Sequence, residues 1–163
     1  MKRKTSPKTP RSYRITRIAA LSALSVVGSF IHLPSPVPTV AFDSAPGFFA
    51  ALMFGPVDGA IVCGAGHVAT SIVNDFPLGL LHIPIALGLA LAGAATGWFN
   101  RRFGLIPGVG IGVFINTALV VVAIPVMGWQ ATLSFLPLLA FAAIINAVVA
   151  SIAYRSLKDR IPH

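Results

Sequence analysis

The chain has 163 residues, of which 56% are hydrophobic and only 10% charged. Soluble domains carry about 25% charged residues, so the composition excludes an ordinary soluble fold and points to one membrane-embedded domain. The net charge of +8 is not that of a nucleic-acid binder: seven of the twelve cations lie at or before Arg17, two are Arg101 and Arg102, and three lie at or after Arg155. No helix between those clusters carries a basic stripe, so the charge reads as a topology signal.

In chain order, residues 1–13 are rich in Lys, Arg, Ser, Thr and Pro and read as a disordered basic cytoplasmic tail. Residues 14–163 form the transmembrane domain. No Lys or Arg occurs from Ile18 to Asn100 or from Phe103 to Tyr154. A spanning helix needs about 20 apolar residues. Breaks at Pro34–Ser44, Gly55–Asp58 and Asn74–Pro77 divide the first run, and Gly128–Gln130 divides the second. Six helices follow, near 15–33, 45–55, 57–73, 79–99, 105–127 and 131–154. If all three cationic clusters are cytoplasmic, the crossings between them must be even in number, and four and two satisfy this. The expected fold is an all-α, integral membrane bundle of six transmembrane helices with both termini cytoplasmic. The N-terminal run is similar to a secretion signal, but PSPVPT is a poor cleavage context and removing the first span would break the parity.

The span at 45–55 is short, about 16 Å long. Helix two therefore begins earlier, after Pro38, or helices two and three form a shallow kinked pair. Either way irregular backbone is expected there, covered by protein or lining a cavity.

Ala19 and Ala23 are four apart on helix one and share a face with small-residue character. Spacing alone favours packing within the bundle. The glycine pairs Gly55/Gly59, Gly93/Gly97 and Gly108/Gly112 read the same way. Cys63, single in the chain, excludes an internal disulfide and reads as a small packing residue.

On helix three, Cys63, His67, Thr70, Ser71 and Asn74 make one polar stripe, which is costly against lipid and so faces protein or a cavity. The stripe runs into Asp75 and then His82 at the top of helix four. His32 closes helix one at the same outer level, before a loop that Pro34, Pro36 and Pro38 stiffen. Ser44 can cap helix two, with Pro46 in its first turn. Asp43 then lies at that helix's positive end, where a carboxylate is stabilised with or without a ligand. Phe42, Phe48, Phe49 and Phe76 offer flat apolar surface nearby. Asn116 is a further candidate, and Asn146, deeper, reads as an interhelical hydrogen-bonding residue. The expected substrate-binding set is His32, Phe42, Asp43, His67, Asn74, Asp75, Phe76, His82 and Asn116, with no catalytic or metal residues.

No Lys occurs between positions 8 and 158, which excludes a GxxxxGK[ST] phosphate loop. There is no HExxH and no GxSxG. No acid lies mid-span, where a proton-coupled carrier would often use one, so uphill transport would draw its energy from a partner. A small membrane enzyme built on the histidines and acids, or a ligand-free scaffold subunit, are the readings from other classes.

The order of short motifs carries a resemblance over residues 14 to 100. It runs from a small-residue helix one through a Pro-rich loop to Asp43 and Ala-Pro-Gly-Phe, then a Gly-Pro turn, Gly-His and Phe-Pro-Leu-Gly. In this the chain resembles the substrate-binding S components of energy-coupling factor (ECF) vitamin transporters, and among them the α-ribazole (cobalamin precursor) type. S components for riboflavin, pantothenate or a queuosine precursor are the alternatives. The resemblance implies a non-enzymatic subunit of the cell membrane that captures a vitamin at the outer face, beneath the loop between helices one and two. It implies docking on a transmembrane T component driven by two ABC ATPase subunits. It implies that no cofactor is bound by this chain and that ATP is used by the partners. It also implies that Ala19 and Ala23, matching the family's AxxxA, meet the T component.

Overall fold

The structure, a computed structural model, describes residues 10–31 and 42–160. Among the described residues every regular element is helical: α1 Arg11–Ser29, α2 Ala45–Phe54, α3 Pro56–Val73, α4 His82–Phe103, α5 Leu105–Ala118, α6 Ile124–Met127 and α7 Trp129–Leu157. Short 3-10 segments, Gly79–Leu81 and Leu119–Ala123, lead into α4 and join α5 to α6. Four stretches are long and apolar enough to cross a membrane, namely Pro56–Val73, Gly79–Phe103, Leu105–Met127 and Trp129–Leu157.

The breaks fall where glycine or proline interrupts the apolar runs. Gly55 has φ +103°, a conformation that costs a Cβ-bearing residue, and Pro56 then opens α3 at a position where its missing N–H is harmless. Gly104 (φ +96°) and Gly128 (φ +75°) divide α4 from α5 and α6 from α7. After α3 the chain reverses through Asp75 and Phe76, both with positive φ.

Three of the expected features are decided by the structure. First, α1 begins at Arg11, so residues 11–13 are helical rather than part of the tail. Arg14 and Arg17 reach back from this first part of α1 to Asp58 at the start of α3, which gives the basic end a partner. Second, α2 starts at Ala45 and is only 10 residues long, about 15 Å, so it is the short member of a pair with α3. Third, irregular backbone flanks α2 as expected, in the turn Phe42–Ser44 and at Gly55, and the fifth expected span is interrupted as well, where Leu119–Ala123 tightens to 3-10.

The glycine pairs do pack helices together. A Cβ on Gly59 would lie 2.9 Å from the Gly93 carbonyl oxygen, and one on Gly97 would lie 2.6 Å from Pro56 N, so α3 and α4 meet backbone to backbone. Gly108 meets Asn100. Cys63 is buried against Gly47. Phe48, fully buried with Leu52, Ala92, Ala147 and Ala150, forms a core cluster. It is therefore a core residue and not surface beside a site. A second cluster, Leu78, Val120, Ala123, Phe135 and Ala142, lies where α4 begins and α7 carries Pro137.

α1 packs on α2 and α3 and uses its small residues on two different faces. Ser25 and Ser29 are buried, and Ser25 lies against Gly66 of α3. Ala19 and Ala23 are exposed, beside exposed Leu24 and Val27. The pair is thus not packed inside the bundle.

The described cations gather at one end. Arg14 Nε donates to Asp58 Oδ1 at 2.7 Å, Arg17 Nε to Asp58 Oδ2 at 3.0 Å, and the Arg17 guanidinium lies 4.0 Å from the centre of the Phe54 ring. Arg101 donates to the Phe54 carbonyl at 3.0 Å, and Arg155 and Lys158 border the same groove.

Candidate functional site

At the opposite end a cavity of about 70 Å³ opens between α3, α4, α5 and α7. Its polar lining is Asp43, Ser44, His67, His82, Asn116 and Asn146. Leu119, Val120, Ala123, Met127, Phe135 and Leu139 form most of its apolar wall. Pockets for drug-sized ligands enclose roughly 300–1,000 Å³, so a guest of that size requires the walls to part. The 3-10 segment Leu119–Ala123 supplies three wall residues, and the hydrogen-bond geometry of a 3-10 turn is poorer than that of an α-helix.

The polar stripe of α3 turns inward as a unit: Cys63, His67, Thr70 and Ser71 are all buried. The His67 side chain meets His82 of α4, with Nε2 and Nδ1 3.1 Å apart. The hydrogen bonds around them fix the tautomers. The Leu78 N–H can only donate, and it donates to His82 Nε2 at 3.3 Å, so the His82 proton sits on Nδ1. The Ser71 hydroxyl donates to the His67 carbonyl at 2.8 Å. His82 Nδ1–H therefore donates to Ser71 Oγ, 2.9 Å away, and to His67 Nε2. His67 in turn carries its proton on Nδ1. The pattern is that of two neutral imidazoles.

Asp43 sits in the turn before α2. Burial pushes its carboxyl up to about 6, against hydrogen bonds from the Ser44 hydroxyl and from the backbone of Asp43 and Ser44 that pull it down. Ser44 does not cap α2, because its hydroxyl is turned to Asp43 Oδ1 at 3.2 Å. The first N–H of α2 is instead capped from α7: Ala45 N donates to Asn146 Oδ1 at 2.8 Å, while Asn146 Nδ2 donates to the Ala142 carbonyl at 2.9 Å. Asn146 is thus the interhelical hydrogen-bonding residue its depth suggested, and it also borders the cavity.

Asn116 is 8% exposed, and its amide makes no hydrogen bond to a described residue. On the cavity wall that amide can donate to or accept from a hydroxyl, a ring nitrogen or another amide.

Four expected residues lie off the cavity wall. α3 ends at Val73, and the reversal through Asp75 and Phe76 turns this segment outward. Asn74 Nδ2 consequently donates to the Thr70 carbonyl at 2.8 Å and Asp75 is exposed. Phe76 is 43% exposed and meets the His82 ring edge-on, 5.8 Å between centres. Phe42 is half-buried, with its carbonyl against Gly28 of α1. His32 lies outside the described residues. The sequence reading missed the apolar wall from α5 to α7. Those residues look like any lipid-facing or core residue in an apolar run, and only packing distinguishes them.

A family model described as "ECF transporter, substrate-specific component" matches residues 13–157. The chain belongs to the ECF transporter S-component family. As an S component it is a multi-pass protein of the cell membrane and a transport subunit, consistent with vitamin uptake. Membership implies association with a T component and ATPases. A solved structure, reported for the S component of a bacterial ECF transporter, is 22% identical and has a TM-score of 0.67. It covers 92% of this S component and 98% of its own chain, so the two share a fold. Comparison with curated proteins gives no match.

Proposed function

We propose that this S component captures α-ribazole at the outer face of the membrane and delivers it through an ECF complex. The observation that carries the reading is the cavity within the apolar bundle, which gathers Asp43, His67, His82 and Asn116 on one wall with the Asn116 amide facing it. A nucleoside of this kind presents a flat apolar base to Leu119, Met127 and Phe135, and ribose hydroxyls to Asp43 and Asn116. His67 Nδ1–H is a further donor on the wall. Asn74, Asp75, Phe42 and Phe76 border the entrance in this reading rather than the cavity itself.

The orientation follows from charge. With six spans and both termini cytoplasmic, the Arg14–Arg17–Arg101–Arg155 end faces the cytoplasm and the cavity end faces out. The exposed Ala19/Ala23 face of α1 is the docking surface for the T component, which approaches closely because those side chains are small. Two ABC ATPase subunits supply the energy, and no cofactor resides on this chain. Calorimetry of the purified protein against α-ribazole, riboflavin, pantothenate and a queuosine precursor tests the reading. Tight α-ribazole binding is expected, and the absence of any sub-micromolar ligand in the panel would sink it.

A further inference from the structure

We infer that the cavity selects its ligand by charge, admitting uncharged or cationic molecules and rejecting carboxylates and phosphate esters. The inference rests on reading this cavity as the ligand site, and it narrows the class of ligand independently of which vitamin is carried.

Three features carry it. The first is the absence of any fixed positive charge at this end. No Lys or Arg occurs from Ile18 to Asn100 or from Phe103 to Tyr154. The arginines that flank those runs are held at the other end, Arg14 and Arg17 on Asp58 and Arg101 on the Phe54 carbonyl. From Asp58 to His67 along α3 is about 13 Å, too far for an arginine held on Asp58 to contact a ligand in the cavity.

The second is that the N-terminus of α2 beside Asp43, the usual kind of substitute for a cation, is largely taken. In the first turn of α2, Pro46 has no N–H, the Ala45 N–H is bonded to Asn146 Oδ1, and the Phe48 N–H is bonded to the Ser44 carbonyl. Asp43 stands directly in front of that terminus.

The third is the chemistry of what remains. His67 and His82 bond each other in a neutral pattern that commits His82 Nδ1 and Nε2 and His67 Nε2. Asn116 offers an amide, a donor and acceptor suited to a hydroxyl, a ring nitrogen or another amide. A carboxylate or phosphate entering here would lose its hydration, find no cation, and meet Asp43. Buried charges without a partner are costly, and like charges brought together more so. A neutral heteroaromatic alcohol loses none of this, and a protonated amine gains a partner in Asp43.

The test uses the full chain purified in detergent and matched pairs that differ in charge: α-ribazole and its 5′-phosphate, riboflavin and flavin mononucleotide, and pantothenol and pantothenate. For whichever pair binds, the anionic member should be weaker by about a hundredfold or more, about 2.7 kcal/mol. Asp43→Asn should narrow that ratio. An anionic member within about tenfold of its neutral partner overturns the proposal. Riboflavin binding in place of α-ribazole would sink the α-ribazole reading and leave charge selection standing. α-Ribazole 5′-phosphate binding as tightly as α-ribazole would do the reverse, and pantothenate binding in preference to pantothenol with α-ribazole unbound would sink both. Mass spectrometry of ligand retained through purification reads the same point without a guessed probe: a neutral or basic compound supports the proposal, and a carboxylate or phosphate ester overturns it.

Discussion

His67 Nε2 and His82 Nδ1 lie 3.1 Å apart, and this contact joins α3 to α4 across the turn that separates them in the chain. It is the centre of a chain of bonds from the His67 carbonyl through Ser71 and His82 to the Leu78 N–H. His82→Ala removes three of those bonds and leaves the buried Leu78 N–H without its acceptor. An orphaned buried donor costs about 1–3 kcal/mol. The melting temperature in detergent should fall accordingly, and ligand affinity with it.

Asn116 behaves oppositely. Its amide has no partner among the described residues, so Asn116→Leu should leave the melting temperature of the empty protein unchanged or raise it. Ligand affinity should fall by about tenfold or more, the worth of one good hydrogen bond to a buried group. A large loss of stability would show that the amide is structural.

Asp58 is 3% exposed and receives Arg14 and Arg17, one turn apart on α1. Removing one partner of a buried pair costs up to about 3–5 kcal/mol. Here Arg14 is already 43% exposed in its side chain and can swing into solvent, so about 1–3 kcal/mol is the expected loss for Asp58→Ala. Because the clamp lies far from the cavity, ligand affinity should hold. Loosening of the N-terminal part of α1 should weaken co-purification with the T component.

Ala19→Trp and Ala23→Trp place bulk on the exposed face of α1. Neither should shift the melting temperature, since no helix among the described residues packs there. Both should abolish uptake in cells carrying the complete transporter while calorimetric ligand binding stays intact. Loss of binding together with uptake would show that the pair supports the bundle itself.

Asp43 gives a pH dependence of defined sign. Its carboxyl is raised from 3.8 to about 6 by burial, so the folded state binds its proton more readily than the unfolded state does. Its contribution to stability is fully present below about pH 4 and is lost as pH rises through about 6. Subtracting the melting profile of Asp43→Asn from that of the wild type isolates this term. The difference should decline between those pH values and be flat above them.

How much of this was readable beforehand varies with the residue. The Gly55, Asn74–Pro77 and Gly128 breaks were legible because glycine and proline act through their own backbone geometry, which needs no neighbours. The inward stripe Cys63–His67–Thr70–Ser71 was legible because helical period places those positions on one face. Asp58 was visible only as an acid at a turn. That it clamps Arg14 and Arg17 depends on how α1 is set against α3, a register no local pattern encodes. Ser44 shows the same limit: its identity and position suit a cap, yet Asn146, 101 positions from Ala45, supplies it.

By itself, then, the sequence determined the chemistry available. It set apolar spans, cations confined to their ends, and two histidines, an acid and an amide in otherwise greasy helices. These are properties of composition and period. Tertiary structure alone decided which of those groups meet. It brought His67 to His82, turned Asp75 and Phe76 outward through two left-handed residues, and left Ala19 and Ala23 bare while burying Ser25 and Ser29. It also built the apolar wall from a 3-10 segment that reads in sequence as one more stretch of helix. The physical reason is that helix–helix packing is set by surfaces in contact across long chain separations, whereas breaks and faces are set within a few residues.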